Sequence, residues 1–148
     1  MSIAVQNITK RYGEQKALDD VSFAIGGSEV TGFLGPNGAG KSTMMKILAG
    51  YIPQTDGTAS VCGFDVREAS MDVRRNVGYL PEHNPLYLDM YVREYLAFVA
   101  DIYKLKNTAA RVKEMVGIVG LEREQHKRIG ALSKGYRQRV GLAQAMIH

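Results

Sequence analysis

An α/β fold is what this sequence predicts, on three adjoining observations. Val30–Leu34 is a short apolar run of the kind that forms a buried parallel strand. The string Gly35-Pro36-Asn37-Gly38-Ala39-Gly40-Lys41-Ser42 follows it directly. A helical pattern comes next, with Met44, Ile47 and Leu48 on one face. Strand, glycine-rich loop and helix in that order make the context in which G-x-x-x-x-G-K-[ST] binds phosphate.

The spelling of the loop follows from that chemistry. Backbone N–H groups can wrap a triphosphate only where side chains are absent, hence Gly35, Gly38 and Gly40. The helix starting near Lys41 points its positive dipole end at the phosphates. Lys41 then reaches the β- and γ-phosphates, the Ser42 hydroxyl ligates Mg²⁺, and Thr43 can bond a nearer phosphate. Gly50 and Pro53 end this helix.

The flanking elements read in order. Ile3, Val5 and Ile8, then Val21, Phe23 and Ile25, predict antiparallel strands that carry Tyr12. "TASVCGF" alternates like a strand, which predicts that the single cysteine, Cys62, is a small buried residue. One cysteine allows no intrachain disulfide, in keeping with a reducing, cytoplasmic setting. Further on, Val92, Tyr95, Leu96, Val99, Ile102 and Tyr103 form a continuous helical apolar face; Val112, Met115, Val116 and Val119 form a second. Ser133 stands where an N-cap would open a last helix.

Composition bounds the function. The chain has 148 residues, the length of one domain, with 45% hydrophobic and 23% charged residues. "MSIAVQNITKRYG" lacks the apolar core of a signal peptide, and "YLAFVADIY" is broken by Asp101 far short of a membrane span. His83, His126 and His148 show no metal-ligand spacing. The net charge of +4 falls entirely within Leu121–His148. That basic end suits either a polyphosphate partner or a solvated helix face. A GTPase would call for D-x-x-G and N-K-x-D, which the chain lacks; the loop alone would also suit a small-molecule kinase.

The string "GPNGAGKST" followed at a distance by "LSKGYRQR" resembles the nucleotide-binding domain of ATP-binding cassette proteins, over the whole chain. The resemblance implies a P-loop NTPase with an N-terminal antiparallel β subdomain, an incomplete parallel-sheet core and an α-helical subdomain. The division implied is about 1–82 for the β subdomain and loop core and about 83–148 for the helical part. It places Tyr12 where an aromatic ring stacks on adenine. Gly35, Pro36, Asn37, Gly38, Ala39, Gly40, Lys41, Ser42 and Thr43 would hold ATP and Mg²⁺. Glu82, in "VGYLPEH", stands where the family has a glutamine near Mg²⁺ and the attacking water; a carboxylate can also ligate Mg²⁺. Ser133 and Gly135 match the signature motif, while Lys134 and Tyr136 depart from it. In the family this motif binds the γ-phosphate held by a second subunit, so a homodimer or heterodimer across ATP is implied.

The same resemblance calls for a later strand ending in Asp-Glu, which support Mg²⁺ and act as general base. No such run occurs; "LYLD" at Leu86–Asp89 precedes the signature and is followed by Met90. No catalytic acid is therefore expected within these residues, apart from an auxiliary part for Glu82, and the chain alone is expected not to hydrolyse ATP. The whole protein is expected to be the ATPase subunit of an export-type transporter at the inner face of the membrane. There it would work with a separate permease and without nucleic acid. The alternative is a non-transport cassette protein acting on ribosome or DNA.

Overall fold

A long hairpin opens the fold. β1 (Ile3–Tyr12) pairs antiparallel with β2 (Gln15–Ile25), closing at Tyr12 opposite Gln15. Val5 and Ile8 are both buried although three residues apart. The strict alternation of a strand would send them to opposite faces. Asn7, at φ 51°, resolves this: a register shift between Val5 and Ile8 returns Ile8 to the core side.

Residues 2–148 are described in the computed structural model, and they divide into two compact units, one running to Val77 and the other from Gly78 to His148. In the first, β3 (Asp56–Val61) joins the other edge of β1 and β4 (Phe64–Asp65) joins β3, giving the order β2-β1-β3-β4, antiparallel throughout. α1 (Lys41–Leu48) packs Met44, Ile47 and Leu48 into a cluster with Val5, Ile8, Leu18, Ala59 and Val61. α1 ends in a Schellman closure: Tyr51 N–H donates to Lys46 O at 2.8 Å and Gly50 N–H to Ile47 O at 2.9 Å, with Gly50 at φ 70°. The short α2 (Ser70–Asn76) adds Val73 to this core.

Two local expectations are corrected. Val30–Leu34 forms no strand, and Val30 and Leu34 are fully exposed. A parallel strand is stable only between hydrogen-bonded neighbours, and every described strand of this unit pairs antiparallel and elsewhere. Cys62 is exposed: β3 stops at Val61, and Cys62, at φ 52°, begins the turn into β4 with Gly63.

The second unit is helical. α3 (Val92–Ile102), α4 (Thr108–Ile118) and α5 (Lys134–Met146) surround a core of Val92, Leu96, Val99, Met115, Val116, Val140 and Ala143. The predicted stripe of α3 is buried from Val92 to Val99, but Ile102, the last residue of the helix, is 61% exposed. Burial at this end passes to Tyr103 and Leu105, which lie against the core. The stripe of α4 is buried as predicted at Val112, Met115 and Val116, with Val119 just beyond the helix. A short 3₁₀ turn (Ile129–Ala131) buries Ile129 and leads into α5.

Candidate functional site

The first unit carries the glycine-rich loop as a turn that runs straight into α1. Ala39 N–H donates to Pro36 O at 3.2 Å, and Met44 N–H to Gly40 O at 2.9 Å starts the helix. Gly38 and Gly40 have φ of 84° and 82°, the left-handed region open to glycine at no steric cost. Gly40 is required twice over. A Cβ there would overlap the Ala17 carbonyl oxygen and stand 2.7 Å from Leu18 Cδ2, so the loop can approach β2 only without a side chain. On Gly35 a Cβ would lie 3.4 Å from Ala39 Cβ and 3.9 Å from Lys41 Cδ, in the space the loop encloses.

Lys41 folds back over this loop. Its Nζ donates to the carbonyls of Gly35 and Pro36, both at 2.6 Å. The ammonium is therefore held at the mouth of the turn by two acceptors that an incoming phosphate would replace, with charge assistance on the new bonds. Pro36, Asn37, Gly38 and Ala39 lie exposed along the same turn; Ser42 and Thr43 sit in the first turn of α1, Ser42 exposed and Thr43 half-buried. No side chain caps this helix, and the first N–H groups of a helix have no partner within it. Among the described residues no three His, Cys, Asp or Glu side chains group to hold a metal ion.

Tyr12 closes the β1–β2 hairpin in the same unit, 52% exposed. Lys10 Nζ lies 5.2 Å from its ring centroid, a cation over one face. Sequence reasoning passed over Lys10, although two residues apart on a strand puts it on the side of Tyr12. Its ammonium also donates to Pro53 O at 2.7 Å, which fixes it there.

In the second unit Ser133 is the N-cap of α5, its Oγ accepting from Tyr136 N–H at 3.4 Å. Gly135 follows in the first turn, open on its side-chain side. Arg137 steadies the approach: its guanidinium donates to Leu132 O at 2.9 Å and Gly130 O at 3.2 Å. Arg139 likewise reaches Val119 O and Gly120 O, and Lys127 pairs with Glu124 at 2.8 Å. Much of the basic excess of the chain's end is thus spent on carbonyls and carboxylates of its own unit. Glu82 lies exposed in a bend, its backbone carbonyl accepting from Gln138 Nε2 at 3.4 Å.

The profile of the family described as ABC transporter matches residues 18–148. The ABC transporter ATP-binding protein YxlF of Bacillus subtilis is 39% identical, covering 99% of this chain and 48% of its own length. The sulfate/thiosulfate import ATP-binding protein CysA of Nocardia farcinica is 40% identical, over 97% of this chain and 44% of its own. Nod factor export ATP-binding protein I of Burkholderia orbicola is 35% identical, over 100% and 50%. The chain spans about half the length of these curated relatives. Among solved structures, a dimeric ATP-binding cassette in a post-hydrolysis state, bound to ADP and Pi, is similar with a TM-score of 0.84 at 25% identity, covering 98% of this chain and 69% of that one.

Proposed function

The chain belongs to the ABC transporter family, and from that premise we propose that it is the nucleotide-binding part of an ATPase subunit that drives export through a separate membrane permease. The observation that carries this reading is the cradle of Gly35–Ser42, open at a helix N-terminus and lidded by the Lys41 ammonium. Lys41 would exchange its carbonyl partners for phosphate oxygens, and the free N–H groups of α1 would take the remainder of the charge. Ser42 and Glu82 would hold Mg²⁺, which when bound neutralises phosphate charge. Tyr12 would lie under adenine. Ser133 and Gly135 would offer a hydroxyl and an N–H to the γ-phosphate on a second subunit, homologous or identical, so that ATP joins the two.

The export reading rests on the "YLPE" and "LSKGYRQR" strings and is supported by the export relative, with the import relative standing against it. No described helix is long and apolar enough to cross a membrane; attachment at the inner face of the membrane through the permease is part of the same proposal. The test is to express the full-length protein with an affinity tag in its own host and identify what co-purifies from detergent-solubilised membranes. The expected result is a complex with a multi-span membrane protein whose ATP hydrolysis is lost in Lys41→Ala. Recovery on ribosomes or DNA, with no membrane partner, would overturn the transport reading.

A further inference from the structure

The segment from Gly78 to Asn84 lies along one face of α5, and at Gly141 it meets a position of that helix with no side chain. Gln138 Nε2 donates to Glu82 O. Gly141, buried three residues on, faces Asn84: a Cβ on Gly141 would overlap the Asn84 carboxamide nitrogen and stand 2.8 Å from Leu80 Cδ1. A Cβ on Gly78 would overlap the carbonyl oxygen of Ala145. Positions 138, 141 and 145 recur at i, i+3 and i+7, a single helix face. Towards the first turn of α5 the two segments part around a cavity of about 500 Å³, lined by Glu82, His83 and Asn84 on one side and Lys134, Arg137 and Gln138 on the other. The close approach at Gly141 is thus where the loop is seated.

Glycine inside a 13-residue helix is costly for the helix itself. Asn84 Nδ2, buried against it without a hydrogen-bond partner, is costly too. Two unfavourable choices that meet at one contact mark a place where closeness matters more than stability.

We propose that Gly141 is a positioning residue: by admitting Asn84 and Leu80 it seats the Glu82 loop on the helix whose N-cap is Ser133, so that the carboxylate and the hydroxyl are carried as one piece. The functional half of this rests on the reading of Glu82 and Ser133 as nucleotide-facing groups. The seating itself does not.

The test uses a spin label at position 83 (His83→Cys in a Cys62→Ser background) and ATP hydrolysis by the full-length protein. Gly141→Ala favours the helix, so it separates seating from folding. It should shorten the rotational correlation time of the label at least twofold and lower kcat about tenfold, with KM for Mg-ATP within threefold of the parent. Adding Asn84→Ala should remove the overlap with the carboxamide, leaving only Leu80 Cδ1 to turn aside, and restore both to within threefold. An unchanged label in Gly141→Ala, or no recovery in the double variant, overturns the seating. A loosened label with unchanged kcat overturns the positioning role alone. A full-length parent that neither binds nor hydrolyses ATP overturns the reading of Glu82 and Ser133, and the label then decides the seating by itself.

Discussion

In the proposed function, Lys41 is the residue on which nucleotide recognition turns. Its two short bonds to Gly35 O and Pro36 O are neutral-acceptor bonds, replaceable by stronger ones to an oxyanion. Lys41→Ala in the full-length protein should weaken ATP binding by at least tenfold, about 1.4 kcal/mol, as read by calorimetry. Unchanged affinity in a folded variant would sink the assignment of the loop. Tyr12 makes a separate claim. If its ring stacks on adenine, Tyr12→Ala should weaken ATP binding while Tyr12→Phe and Tyr12→Trp retain it, since the stacking face and not the hydroxyl is used. Equal loss in Ala and Phe would assign the tyrosine to packing or to its hydroxyl. Lys10, already over the ring, should not be displaced by Phe.

Elements add constraints that single residues do not reveal. Gly40 joins the loop to α1 while touching β2, so Gly40→Ala meets both a left-handed φ and a backbone carbonyl that cannot rotate away. It should cost about 1–3 kcal/mol of stability in chemical denaturation, whereas Gly135→Ala should cost nothing, since nothing crowds the new methyl and alanine is the better helix former. Tyr95 on α3 gives a pH signature for the helical unit. Burial, and secondarily the neighbouring Tyr87, push its hydroxyl up to about 12, and the neutral form donates to Gln144 Oε1 at 2.7 Å. A pKa raised on folding means the unfolded chain loses its proton first. The stabilisation is therefore complete below pH of about 10 and is lost as pH rises toward 12. Tyr95→Phe should flatten that part of the stability–pH curve relative to the parent; parallel curves for the two proteins would refute the assignment.

What was legible in the sequence was what local periodicity and local chemistry decide. Met44, Ile47 and Leu48 had to face a core because a helix of that spacing has one apolar side, and Ser133 had to cap because its hydroxyl reaches the third N–H. Val30–Leu34 misled because apolar content marks a strand only if partners lie beside it, and pairing is a non-local property. Cys62 misled because alternation says nothing about where a strand turns; the positive φ there ends it. The Asn84–Gly141 contact joins residues 57 apart, and neither has a pattern of its own that names the other.

At the scale of the molecule the question is which steps of an ATPase these residues can support. They carry a glycine-rich turn with its lysine cation and a serine-capped helix N-terminus, which the proposed function reads as a phosphate cradle and as the group that faces a second subunit's nucleotide. They carry no apolar run ending in Asp-Glu. General-base catalysis contributes about 10²–10⁴-fold to such reactions, and a poorly held metal would compound its loss. Residues 1–148 should therefore show no steady-state ATP hydrolysis above background, even where Mg-ATP binds. Extending the protein to the length of its relatives should bring hydrolysis, and in that longer protein Ser133→Arg should reduce kcat far more than it weakens ATP binding. The reason for that split is that Ser133 would meet the nucleotide of the other subunit, so its loss spoils assembly across ATP and leaves the Lys41 cradle intact. Magnesium-dependent phosphate release by the 148-residue chain, abolished by Lys41→Ala, would put the catalytic base among the residues described here and overturn this assignment.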